Sequence, residues 1–250
     1  MPPFDSMKGS FLGPAYSDTE IIRSVRKTGA IYSIYDDFSL LCKETASRIA
    51  DGKVVGWFQN RMEFGPRALG NRSILADARN PEMQKKLNLK IKKREGFRPF
   101  APAVLEEDCE SFFKIDFPSP YMLFVVPVNK EIQKKIPEND QSLNLLQKLN
   151  IERSTVPSVT HVDFSARPQT VNKVSNPKFH KLLEEFKILT GIGLMINTSF
   201  NVRGEPIVCS PYDAYLCFMH TDMDLLVMGN LIFYKEDQPA MTVDLEFDPD

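Results

Sequence analysis

The sequence lacks any apolar run near the ~20 residues needed to cross a bilayer; its best, Tyr121 to Val128, is about a strand long. The opening MPPFDSMKGSFLG lacks the basic-then-apolar order of an export signal, so a cytoplasmic protein without a membrane partner is expected. Cysteine is scarce. Cys42, Cys109, Cys209 and Cys217 lie far apart with no CxxC pair, which predicts reduced, mostly buried thiols. There is no HExxH motif and no close Cys/His cluster, so no protein-built metal site is expected. A Walker loop, a GxSxG elbow and a GxGxxG fingerprint are also missing. Net charge is −2, which removes any global pull toward nucleic acid.

What is present is local charge. Residues 61–100 hold eleven Lys or Arg against four acids, a net of +7, while residues 236–250 hold six acids and no base. The basic stretch is interleaved with Gly, Pro and Asn, which shape backbone rather than cover a helix.

Periodicity and capping signals alternate helix and strand. Ser17-Asp18 opens a helix carrying Ile21, Ile22 and Val25, and Ser39 to Ala50 reads as a second. Lys53 to Gln59 is a buried strand. Asn80-Pro81 opens a helix toward Ile91, Asn176-Pro177 another with Phe179, Leu182, Leu183 and Phe186 on one face, and Ser210-Pro211 a third through His220. Phe100–Leu105, Tyr121–Val128 and Gly193–Asn197 read as strands. Leu225–Met228 and Leu231–Tyr234 flank Gly229-Asn230, a two-residue hairpin turn. Residues 129–157 read as a polar excursion with a helical stretch near Leu143–Leu149. The expected organisation is a linker at 1–16, one α/β domain with a mixed sheet at 17–235, and an acidic tail at 236–250.

Four polar segments carry chemistry. RMEFGPRALGNRSI (61–74) follows a strand and combines arginines with Gly65 and Gly70, a backbone and cation set suited to phosphate or carboxylate. In KIKKREGFRPFAP (90–102), Lys92 and Arg94 share a face if the segment is extended, and Arg98 sits in a loop set by Pro99. SVTHVDFSARPQTV (158–171) brings His161, Arg167, Gln169 and Thr170. INTSFNVRGEPIV (196–208) places Asn197, Thr198, Ser199 and Asn201 at a strand's C-terminal end, followed by Arg203 and Glu205. Pooled, these loops describe a site for a nucleotide plus a small phosphate.

These segments, from about Gly13 to Tyr234, resemble the C-terminal domain of the NodU/CmcH-type O-carbamoyltransferases. The resemblance implies a YrdC-like twisted mixed sheet with helices packed on it and a basic concave face. The KxR and SxN signature of that fold is matched by Lys92-Lys93-Arg94 and Ser199-Phe200-Asn201. It further implies ATP and carbamoyl phosphate as substrates, Mg²⁺ as companion of ATP, and carbamoyl-adenylate as product. By that likeness Arg67, Lys92, Arg98, Arg167 and Arg203 hold carbamoyl phosphate and the triphosphate. Asn197, Thr198, Ser199 and Asn201 line the nucleotide side, and Asn71, Arg72, Ser73, Arg94, His161, Gln169, Thr170 and Glu205 join the binding set. The family's N-terminal actin-like-fold domain, which carries the carbamoyl group to the acceptor hydroxyl, is expected as a partner in cis or trans. Phe164 departs from the pattern, which has a small residue before Ser165. The alternative is a YrdC-like module that docks nucleic acid such as tRNA; the pI near 6.0 and the absence of aromatics interleaved with the cations count against it.

Overall fold

The computed structural model describes residues 6–136 and 151–240 together with Asn144 and Lys148. Its centre is an eight-stranded mixed sheet. The strands are β1 (Ser33–Ile34), β2 (Val55–Phe58), β3 (Arg72–Ala76), β4 (Ala101–Leu105), β7 (Gln169–Val171), β8 (Leu194–Ser199), β9 (Leu225–Met228) and β10 (Leu231–Tyr234), in spatial order β1-β10-β9-β2-β3-β8-β4-β7. A separate short pair joins β5 (Val126–Pro127) to β6 (Ser165–Ala166). β2 runs parallel to β9 and β4 parallel to β7, while β3 and β8 run antiparallel to their neighbours.

Strand periodicity divides the side chains between two cores. Val55, Trp57, Leu75, Met195 and Val227 face the helices α2 (Phe38–Ala50) and α5 (Pro177–Thr190), packing on Leu41, Ile49, Leu182, Leu183 and Phe186. Phe58, Ile74, Ala76, Ile196, Leu226 and Met228 face the other way, toward α1 (Asp18–Val25), α3 (Met83–Lys86) and α6 (Pro211–Met219). With both faces covered, the central strands read as nearly continuous apolar runs. The remaining short helix, α4 (Cys109–Phe112), follows β4.

The helix starts obey the sequence signals. Ser17 with Glu20, and Ser210 with Asp213, close reciprocal capping boxes, and Asn176 caps α5 through the Phe179 N–H. Gly229 takes φ +56° at the hairpin turn between β9 and β10. Among the described residues no helix is long and apolar enough to cross a membrane.

Several expectations change. The Tyr121–Val128 strand shrinks to Val126–Pro127; Leu123, Phe124 and Val125 are exposed, while Met122 turns back onto Leu69 and Ala101. The helix after Asn80 starts at Met83 and continues as a π-helical turn through Ile91, with Lys92 at its end. Residues 72–74, read as part of a loop, belong to the fully buried β3. Residues 6–16, read as a linker, dock instead: Gly13 and Pro14 exchange backbone hydrogen bonds with Met62, and the Phe64 N–H donates to Ser10. The described ends of the 129–157 excursion pair with each other, Lys134 N–H donating to Arg153 and Thr155 N–H to Ile132. Its helical stretch, apart from Asn144 and Lys148, lies outside the described residues, as do residues 241–250 of the acidic tail. Before those, Gln238 is anchored to the Ile31 backbone and to the Tyr215 hydroxyl.

Leu183 is fully buried where α5 meets α2. Leu183→Ala is expected to lower unfolding stability by about 2–5 kcal/mol, read from the midpoint of urea unfolding.

Candidate functional site

The sheet's polarity brings the four polar segments to one edge. The C-terminal ends of β2, β8 and β9 and the N-terminal ends of β3, β4 and β7 all terminate there. Ligand crevices of α/β sheets form at such strand ends.

The loop from β2 to β3 is built around Glu63. Its Oε1 accepts backbone N–H bonds from Leu69 (2.7 Å), Asn71 (2.6 Å) and Arg72 (3.1 Å), and Oε2 is buried with no partner. Gly70 closes the loop at φ +104°; a Cβ there would lie 2.1 Å from the Phe179 ring. Its carbonyl accepts from Trp57 Nε1 at 2.9 Å. Arg72 is wholly buried. Its guanidinium stacks 3.5 Å from the Phe58 ring centroid and donates to the carbonyls of Gln59, Asn71, Asn60 and Pro14. Burial pushes its pKa down to about 10, opposed chiefly by the Glu63 charge. Arg72 is therefore a strut of the loop, not a free phosphate ligand. Ser73 is buried and accepts from Gly70 N–H, and Asn71 donates to the Arg61 carbonyl and accepts from Asn176; both shape the loop as well. Sequence reading missed Glu63, whose role needs three backbone donors that only the folded loop assembles. Its position amid Arg and Gly was the available signal.

Lys92 is the second anchor. Its Nζ donates to the Ser199 carbonyl and Oγ (3.2 Å) and to the Asn201 carbonyl (3.0 Å) and Oδ1 (2.9 Å). Ser199 Oγ donates to Asn201 Oδ1 at 2.7 Å, and Asn201 Nδ2 reaches the Glu205 carbonyl at 2.7 Å. Burial, helped by the neighbouring Arg94 charge, pushes the Lys92 pKa down to about 7. The segment is not extended: Lys92 ends the π turn and Lys93 takes φ +48°, so Arg94 turns away to bond Asn88 Oδ1 at 2.7 Å and to cover the Phe100 ring. Glu95 lies between Arg98 (3.0 Å) and Arg203 (3.9 Å), which places those two exposed arginines side by side.

A further cation pair lies on the β7 side. The half-buried Arg167 has its pKa lowered by burial and then by the charge of Arg67. Two guanidiniums in each other's field favour an anion between them. Burial lowers the pKa of His161, against a raising influence of Asp163. Phe164, the departing residue, accommodates a left-handed turn at φ +60° that returns the chain to Ser165.

Beneath these, Asn197 Nδ2 donates to Gln169 Oε1 (2.7 Å) and the Ala68 carbonyl (3.2 Å), and Gln169 Nε2 donates to the Leu69 carbonyl (2.8 Å). Asn197 Oδ1 is buried and unpartnered. Thr170 is buried and accepts from the Ser119 N–H, while the partly exposed Thr198 pairs with Ile74 in the sheet. Two cavities flank this edge. One, about 360 Å³, is lined by Tyr16, Asp18, Phe58, Asn60, Lys178 and Asn230. The other, about 370 Å³, lies between Glu205–Cys209 and α6.

The arrangement is that of a mixed α/β domain with several cationic loops at one strand edge. Residues 46–235 match the family model for the carbamoyltransferase C-terminus, and the chain belongs to that family. It is 52% identical over 96% of its length to an uncharacterised protein of Synechocystis, of which it spans 39%. It is 41% identical, over 82% of its length, to nodulation protein NolO of Bradyrhizobium diazoefficiens, spanning 34% of that protein. To the 3'-hydroxymethylcephem-O-carbamoyltransferase of Streptomyces clavuligerus it is 39% identical over 77% of its length, spanning 32%. The chain thus covers between 32% and 39% of these relatives' length.

The lowered Lys92 pKa carries a pH signature. Between about pH 7 and the ordinary lysine value of 10.5, the unfolded chain holds a proton on Lys92 that the folded chain releases. Stability from this group therefore rises with pH across that window. Urea unfolding of wild type and Lys92→Met at pH 7, 8 and 9 is expected to show a rise that the variant lacks in part.

Proposed function

We propose that this chain is the part of an O-carbamoyltransferase that binds ATP and carbamoyl phosphate and forms carbamoyl-adenylate. Hydrolysis of carbamoyl phosphate releases inorganic phosphate and carbamate. A carbamate oxygen then attacks the α-phosphorus of ATP, and the bond to the β-phosphate oxygen breaks to release pyrophosphate. A separate actin-like-fold domain, in cis or trans, transfers the carbamoyl group to an acceptor hydroxyl.

The observation that carries this reading is the convergence of Arg67, Lys92, Arg98, Arg167 and Arg203 on one strand edge together with Asn197, Ser199 and Asn201. Adenylyl transfer needs in-line positioning and neutralisation of phosphate charge more than a protein nucleophile. Arg98 and Arg203 supply exposed guanidiniums, and Arg67 and Arg167 a second pair. Lys92 Nζ fixes the Ser199–Asn201 turn through hydrogen bonds to both residues.

Mg²⁺ fits this donor set as an ion carried on the triphosphate. Glu95 is shared by Arg98 and Arg203, and Glu63 is buried with one oxygen engaged by backbone donors. The partly exposed Glu205 offers a carboxylate beside the turn. When bound, the ion would neutralise phosphate oxygens.

The test is carbamoyl-phosphate-dependent pyrophosphate release from ATP by the purified chain and by Arg67→Ala. Release by wild type with a loss of about 100-fold in the variant is expected, the scale of removing one transition-state charge contact. A folded chain that binds no ATP overturns the reading. A chain that binds ATP without releasing pyrophosphate would place the first step in the longer protein only.

A further inference from the structure

Away from that edge, past the C-terminal end of β4, the described residues gather three metal-ligand side chains. Glu107 lies two residues beyond β4. His180 and Glu184 are four apart on α5, so they share one helical face. One ligand atom from each of the three can be chosen so that all lie within 4.8 Å of one another.

The His180 side chain is only 3% exposed. Its Nε2 lies 2.9 Å from Glu107 Oε1, and its Nδ1 lies 3.6 Å from Glu184 Oε1. Nδ1 is enclosed and makes no hydrogen bond. An imidazole nitrogen buried without a partner is a standing cost, which a ligand on that nitrogen removes. The separation from Glu184 is close to the roughly 3.4 Å between two donors that each sit about 2.1 Å from one tetrahedral ion. A ligating histidine ordinarily donates its other N–H to a carboxylate, as Nε2 is placed to do to Glu107. Lys173 and Lys181 approach Glu184 only to 3.9 and 3.7 Å, and Lys181 has its close contact with Glu185 at 2.8 Å.

We propose that His180 and Glu184, with Glu107 as outer partner or third ligand, bind one divalent ion of the Zn²⁺ type and so fasten the turn after β4 to α5. Imidazole with carboxylate is a donor set suited to Zn²⁺. Because Glu107 is exposed, its carboxylate can turn onto the ion, and water completes the shell.

The chelator-stripped chain is titrated with Zn²⁺ by calorimetry, with Co²⁺ as an absorbing substitute, and its imidazole nitrogens are followed by NMR. One equivalent is expected to bind and to raise the melting temperature. Of the three histidines in the chain, His180 alone is expected to shift its ring signals. Glu184→Gln should weaken Zn²⁺ binding at least about 10-fold, and Glu107→Gln with Glu184→Gln should abolish the Co²⁺ bands. No binding of either ion overturns the proposal. So does binding that moves His161 or His220 instead, or that both carboxylate changes leave untouched. The histidine signals are read on the wild-type chain, so this arm stands even where a variant fails to fold.

Discussion

The structure depends first on one buried guanidinium. Arg72 sits at the start of β3 with no exposure, stacked on Phe58 and bonded to carbonyls of Pro14 in the docked N-terminal segment, of Gln59 and Asn60 just past β2, and of Asn71 just before its own strand. A charge in that position is tolerable because carbonyl oxygens receive both Nη groups, the Phe58 ring lies against it and Glu63 lies nearby, although its Nε is buried without a hydrogen bond. Glu63 in turn gathers the N–H groups of Leu69, Asn71 and Arg72. Together they hold the loop that presents Arg67, and they tie residues 10–14 to the edge where the other cationic loops end.

A second clasp works at the same edge. The helix running from Met83 loosens into a π turn, which delivers Lys92 to the end of β8. Four oxygens from Ser199 and Asn201 receive its ammonium. Arg72 and Lys92 thus fix backbone, while Arg67, Arg98 and Arg203 stay exposed at the same edge. That division of labour explains why a basic stretch of net +7 does not simply coat a surface.

The residue types carry much of this. Apolar periodicity located α1, α2, α5, α6 and the strands β2, β4, β8, β9 and β10, because their buried faces repeat at helix or strand spacing. It failed at Tyr121–Val128, where only Val126–Pro127 pairs with a strand and Leu123, Phe124 and Val125 stay exposed. It also failed at 72–76, where Arg72 and Ser73 disguise a buried strand. Within the site, local order set Lys92 apart from Lys93 but did not separate Arg72 from Arg67 as strut and exposed cation. Their roles differ through burial, and burial is set by residues far away in the chain.

The sequence by itself determined the mixed α/β class, the helix caps and the four polar segments, since each depends on neighbours within a few positions. Only the tertiary structure decided that these segments share one strand edge, that Arg98 and Arg203 meet across Glu95, and that Glu107 finds His180. These are pairings between residues separated by 73 to more than 100 positions. Strand order and direction bring them together, and no local pattern encodes those.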